Sequence, residues 1–157
     1  MIEVINESDQ PVDEVSIAEQ ARFVLDRLRI HPQAELSVMF VDESAMTDLH
    51  VTWMDEGGPT DVLSFPMDEL RPPREGEPAV EGLLGDIVIC PNVAHAQAEM
   101  AGHPTRHEIG ILLTHGCLHL LGYDHAEPDE ERLMFGLQNR LVAEWSALVR
   151  LAEGEAR

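Results

Sequence analysis

The chain has no lysine. All ten of its basic residues are arginine, set against thirty acidic ones, so the formal charge is −20 over 157 residues. Such a balance excludes a passive polyanion binder, because non-specific nucleic-acid affinity depends on neutralising phosphates and releasing counterions. An RNA or DNA substrate would have to be held locally against a repulsive overall field, and a bound metal ion is one such local charge. Cysteine is nearly absent too. The two present, Cys90 and Cys117, lack metal-knuckle spacing and are expected to be packed thiols, which excludes a disulfide scaffold and fits a reducing setting. No apolar stretch reaches the length of a membrane span, and the opening Met-Ile-Glu-Val-Ile-Asn-Glu has neither a basic nor an apolar leader region. The expectation is a soluble, unsecreted, cytoplasmic protein with no membrane partner.

What is present is ordered as strands and helices in alternation. Residues 2–6 alternate like a short strand, and from about Val12 to Arg29 the apolar Ile17, Ala21, Val24, Leu25 and Leu28 recur at helical spacing. Glu35–Val41 alternates with Leu36, Val38 and Phe40 on one side, and Asp42 is placed to cap a helix running through His50. Val62–Phe65 and Leu83–Cys90 read as further strands. Between them, Pro66–Gly82 is dense in proline, glutamate and arginine and has no period, so it is expected to be a loop. Asn92–Ala101 suits a helix, with Pro91 at its start and Gly102 beyond its end. Thr105-Arg106-His107-Glu108 has the form of a capping box, which starts the next helix near Arg106. Pro128 opens a last helix to about Leu151, with Leu133, Leu137, Leu141, Trp145 and Leu148 along one face. Together these predict one α/β (α+β) domain over residues 1–157: a small mixed sheet of about four strands with packed helices, and a buried central helix ending at a metal site.

That helix carries the main chemical signal. Thr-His-Gly-Cys-Leu-His-Leu-Leu-Gly-Tyr-Asp-His sets His115, His119 and His125 at H-x3-H-x5-H spacing with Gly122 in the turn. The first two histidines lie one helical turn apart on one face, and a glycine ending the helix lets the chain return with the third. From Ile109 to Leu121 nearly every other residue is apolar. Buried imidazoles without partners cost on the order of 1–3 kcal/mol each, so a bare pair in this setting is disfavoured. Three neutral imidazoles suit Zn2+, with nickel, iron or copper as competitors for the same nitrogens, and three protein ligands leave a position open for water. The spacing equals that of the metzincin peptidases, H-E-x-x-H-x-x-G-x-x-H, but Gly116 occupies the place of their glutamate. The general base of that peptidase is therefore absent, and the missing Cβ leaves room beside the metal.

Two further segments, Pro-Thr-Asp-Val-Leu-Ser-Phe at 59–65 and Leu-Gly-Asp-Ile-Val-Ile-Cys at 84–90, join His-Gly-Cys-Leu-His-Leu-Leu-Gly-Tyr-Asp-His at 115–125 in one order. In these three motifs, and through most of its length, the chain resembles the YbeY family of bacterial rRNA-maturation endoribonucleases. The resemblance implies a compact α/β fold related to the metal-peptidase scaffold, with zinc at His115, His119 and His125. It implies hydrolysis of single-stranded RNA, not DNA, during rRNA processing and ribosome quality control, with the ribosome or its small subunit as partner. In one respect the chain departs from that pattern: where the family commonly has an asparagine and, four residues on, an arginine, this chain has His50 and Met54. Arg22, Arg29, Arg71, Arg74 and Arg106 form the pool from which a phosphate-binding cation could come, and Arg22 and Arg29 are expected to share a helical face.

For proton transfer the sequence offers Asp86, beside a strand glycine, and Glu108, two turns ahead of His115 on the same helical face. Each has a structural alternative: Glu108 as the capping-box glutamate, Asp86 or Asp124 as a group orienting a ligand histidine. His31, His50, His95, His103 and His107 share no spacing and are read as surface or capping residues, and Met134 as a packing residue. Trp53 and Phe65 could stack on bases, but core packing is the preferred reading for both. Two other functions compete with the nuclease: a ribosome-associated assembly factor whose metal only shapes the fold, and a metal hydrolase of another substrate.

Overall fold

The computed structural model describes residues 1–54 and 60–155, except for the side chains of Trp53, Met54 and Glu155. In chain order the elements are β1 (Ile2–Asn6), α1 (Glu14–Arg27), β2 (Glu35–Phe40), α2 (Glu43–Met54), β3 (Val62–Pro66), β4 (Leu83–Ile89), α3 (Pro91–Ala101), α4 (Thr105–Leu120) and α5 (Pro128–Glu155). The four strands form one mixed sheet in the order β1-β2-β4-β3. β1 and β4 run parallel to β2, while β3 is an antiparallel edge strand on β4. The expected α/β class and strand count are thus present in a single sheet flanked by helices.

Alternation explains the two-sided packing. In β2, Leu36, Val38 and Phe40 are buried in the main core with Ile87 and Ile89 of β4, Val24 and Leu25 of α1, and Leu113 and Cys117 of α4. On the opposite face Val41, Leu63, Val88 and Cys90 gather around Met46 of α2. A strand with apolar residues on both faces needs helices on both, and β4 has them. α4 lies over β3 and β4 and also packs on α1, α3 and α5, so the central helix is buried on most sides as the sequence predicted.

Several local expectations are corrected. The capping box does not form: Pro104 is the N-cap residue of α4 and makes no side-chain cap bond. Thr105 Oγ1 pairs with His95 Nδ1 at 2.8 Å, and Glu108 Oε1 pairs with His103 Nε2 at 2.7 Å, so both side chains are engaged with histidines that precede the helix rather than with each other's backbone N–H. At α2 the Asp42 carbonyl receives the first helical bond, from Met46, while its carboxylate accepts the Asp9 backbone N–H. Arg29 lies beyond α1 in a left-handed turn (φ 61°), so it shares no helical face with Arg22. The buried stripe of α5 runs through Met134, Gln138, Leu141 and Val142, whereas Leu133 and Leu148 are 64% and 43% exposed. The 66–82 segment is irregular but pinned. Arg29 donates to the carbonyls of Arg74 and Glu77, and Val80 bridges to Ile30.

Candidate metal centre

Two turns of α4 and the turn after it build the site. His115 and His119 project from one face of the helix with ring centroids 4.5 Å apart. Gly122 follows the helix with φ +93°, a left-handed conformation that ends the helix and returns the chain toward its own last turn. A Cβ at Gly122 would collide with the Arg71 guanidinium, which packs on this turn. The return brings His125 to 5.6 Å from His115 and 5.3 Å from His119, centroid to centroid. Ring nitrogens of the three lie within 4.8 Å of one another, close enough for one ion to meet all three. No other such cluster of histidine, cysteine, aspartate and glutamate occurs among the described residues.

The protonation chemistry suits a metal. Burial pushes His115 below the ordinary histidine pKa, with Gln138 countering part of that effect. His119 is pushed down by burial and then by the neighbouring His115 and His125. Both are therefore biased toward the neutral form that ligates. The Gln138 amide oxygen lies 2.8 Å from His115 Nδ1. If Nδ1–H donates to that carbonyl oxygen, Nε2 carries the lone pair and is the nitrogen left to face an ion. Phe135 stacks on His115 with ring planes 23° apart, fixing the imidazole from a second side.

The rings open into a cavity of about 790 Å³ lined by His50, Asp61, residues 62–64, Pro66, Ile111, Leu112, Phe135 and Gln138 as well as the three histidines. Asp61 Oδ1 accepts the Val62 N–H at 2.7 Å and the Thr60 hydroxyl at 3.4 Å, and Oδ2 accepts from Gln97 at 3.3 Å. Ser64 Oγ donates to the Gly116 carbonyl at 3.4 Å, tying β3 to the histidine helix.

The carboxylates proposed from sequence are not brought here. Asp86 lines a separate hollow with Glu3, Glu35 and Ser37, and Glu108 is engaged with His103. Asp124 Oδ1 accepts the backbone N–H of His125, so it braces the third histidine's backbone. Asp61, Ser64, Phe135 and Gln138 were missed as site residues. Asp61 and Ser64 lay inside the 59–65 motif, but their types carry no spacing signal of their own. His50, read as a surface residue, lines the cavity. The space beside Gly116 is not open either: a Cβ there would approach Ile87 Cγ2 to 2.9 Å, so the glycine serves close packing of α4 on β4. Phe65 joins the second core cluster and does not line the cavity. The Trp53 and Met54 side chains lie outside the described residues. Of the arginine pool, Arg22 pairs with Asp26, Arg29 and Arg71 donate to loop carbonyls, and Arg71, Arg74 and Arg106 are exposed. Met134, Cys90 and Cys117 are buried, and burial pushes the Cys117 thiol up to about 12, the behaviour of a packed group.

Comparison with known proteins gives consistent results. The family model described as Endoribonuclease YbeY matches residues 3–146. A protein of Thermobifida fusca named Endoribonuclease YbeY is 65% identical over 144 residues, covering 92% of this chain and 93% of its own. One of the same name from Beutenbergia cavernae is 63% identical over 140 residues, covering 89% and 93%. The solution structure of TM1509 from Thermotoga maritima superposes with a TM-score of 0.68, covering 99% of this chain and 95% of that one; at 24% identity the likeness speaks to fold alone.

Proposed function

The chain belongs to the endoribonuclease YbeY family, and from that premise we propose that it is a metal-dependent endoribonuclease hydrolysing single-stranded RNA. Its setting is rRNA maturation and ribosome quality control in the cytosol, with the ribosome or its small subunit as partner. The observation that carries the reading is the triad of His115, His119 and His125, whose ring nitrogens converge within 4.8 Å at the wall of a cavity. Among the described residues no fourth protein ligand joins them, the pattern of an open rather than a closed site.

The three histidines would hold one zinc ion. When bound, it supplies a Lewis acid for the phosphodiester and a water-derived nucleophile usable near neutral pH. The remaining roles belong to the chain. Gln138 holds His115 in the ligating tautomer. Asp61, the one carboxylate lining the cavity among the described residues, serves as the proton acceptor; its charge also favours protonation of His115, which supports their proximity. Gly116 offers no carboxylate for peptide hydrolysis.

The test is to purify the chain with measured metal content and compare it with His115→Ala and His119→Ala on single-stranded and duplex RNA. Metal-loaded wild type should cut the single strand, with both variants falling to background. Cleavage surviving in both variants, or its absence in the metal-loaded wild type, overturns the reading. Metal-dependent digestion of casein would show a peptidase instead.

A further inference from the structure

The backbone of β3 presents one free hydrogen-bond donor to the metal cavity. In the antiparallel pair β3–β4, Cys90 N–H donates to Asp61 O and Met67 N–H donates to Leu84 O. With the register Val62↔Ile89 through Pro66↔Gly85, these bonds fix the alternation: residues 61, 63, 65 and 67 face β4, and residues 62, 64 and 66 turn their backbone groups to the open edge. Of these three outward positions, Val62 N–H is taken by the Asp61 carboxylate at 2.7 Å, and Pro66 has no N–H. Ser64 N–H is left, and among the described residues it meets no acceptor.

This edge borders the cavity. Val62 and Ser64 line it, and so does Leu63, whose side chain belongs to the opposite face of the sheet, so the cavity runs along the strand margin. Ser64 Oγ reaches the carbonyl of Gly116, the residue following His115, so the donor stands beside the ligand pair of α4. With carbonyls of Val62, Ser64 and Pro66 facing outward but one N–H free among the three, the edge is a poor template for strand addition by a peptide, which needs alternating donors and acceptors. The lone N–H suits a single anionic oxygen. Backbone N–H groups aimed at an anion beside a metal need no reorganisation when charge develops, and they are available in a chain this poor in free cations.

We propose that Ser64 N–H binds a non-bridging oxygen of the RNA phosphodiester held at the three histidines. The proposal rests on the RNA-cleaving reading above, and its test separates the two. Ser64→Pro removes the donor at an edge position whose neighbour Pro66 already tolerates proline, while Ser64→Ala removes only the hydroxyl. At equal metal content, Ser64→Pro should have a kcat/KM on single-stranded RNA lower than that of Ser64→Ala by on the order of 10- to 100-fold. Equal values would sink the proposal. Independently, the zinc-loaded, 15N-labelled full chain is titrated with inorganic phosphate and with a non-cleavable 2′-O-methyl oligonucleotide. The Ser64 amide proton should move downfield in both. No movement while histidine signals respond, or movement only with an extended peptide, overturns the assignment. Wild type that cuts no RNA would defeat the enzymatic reading, and the amide titration would then decide the donor by itself.

Discussion

Gln138 is a polar residue in the otherwise apolar buried stripe of α5, 5% exposed and bonded to His115 Nδ1. A helix facing a core does not bury an amide without return, because an unpaired polar group costs on the order of 1–3 kcal/mol. Here the return is the fixed tautomer of a candidate metal ligand. Replacing the amide with Gln138→Leu should weaken zinc binding about 10- to 100-fold, read by competition with a chromophoric chelator at neutral pH. Gln138→Glu keeps the acceptor and adds negative charge, so it should bind zinc at least as tightly as wild type. A leucine variant that loses thermal stability but keeps its zinc affinity would reduce Gln138 to a packing residue.

At the scale of elements, α5 separates what the sequence could say from what it could not. Leu133, Leu137, Leu141, Trp145 and Leu148 satisfy helical spacing, and so does the stripe one residue away through Met134, Gln138, Leu141 and Val142. Periodicity alone cannot choose between overlapping stripes on one helix. The choice is made by tertiary contacts, in which Gln138 meets His115 and Met134 enters the main core. Met134→Ala should therefore cost about 2–5 kcal/mol in urea denaturation, and Leu133→Ala less than about 0.5. A reversed order would restore the leucine face. The same physics divides the rest of the fold. Strands with a period of two, such as Leu36, Val38 and Phe40, were legible because burial of one sheet face writes itself directly into alternation. The histidine triad was legible because ligand spacing is local, two residues on one helix turn and a third after a glycine. The capping box failed because His95 and His103, on the preceding helix and turn, offered Thr105 and Glu108 competing partners that the box pattern itself does not register. Asp61 and Ser64 reach the site through strand pairing, and Gln138 through helix packing, so no spacing within the chain could connect them to the histidines.

For the whole molecule the governing quantity is the charge of −20. Among the described residues four arginines are spent on acids: Arg22 on Asp26, Arg27 on Glu144, Arg132 on Asp129 and Arg140 on Glu144. Arg71, which packs on the Gly122 turn, is the arginine seen in contact with the return loop of the site. An RNA strand approaching this surface therefore meets long-range repulsion and short-range attraction. Ions screen the first more than the second, since the Debye length is about 10 Å at 0.1 M and groups in contact lie well inside it. A cationic protein making many phosphate contacts loses about 10³–10⁵ in affinity between roughly 50 and 200 mM salt. Here added salt removes repulsion as well as attraction, so kcat/KM on single-stranded RNA should change by less than about tenfold across that range, or rise. The measurement is initial rates at fixed zinc and pH in increasing potassium chloride, below saturation in RNA. A steep fall would mean that the arginines left unpaired act together as a phosphate-binding face. A flat or rising profile means that recognition rests on the few groups at the cavity.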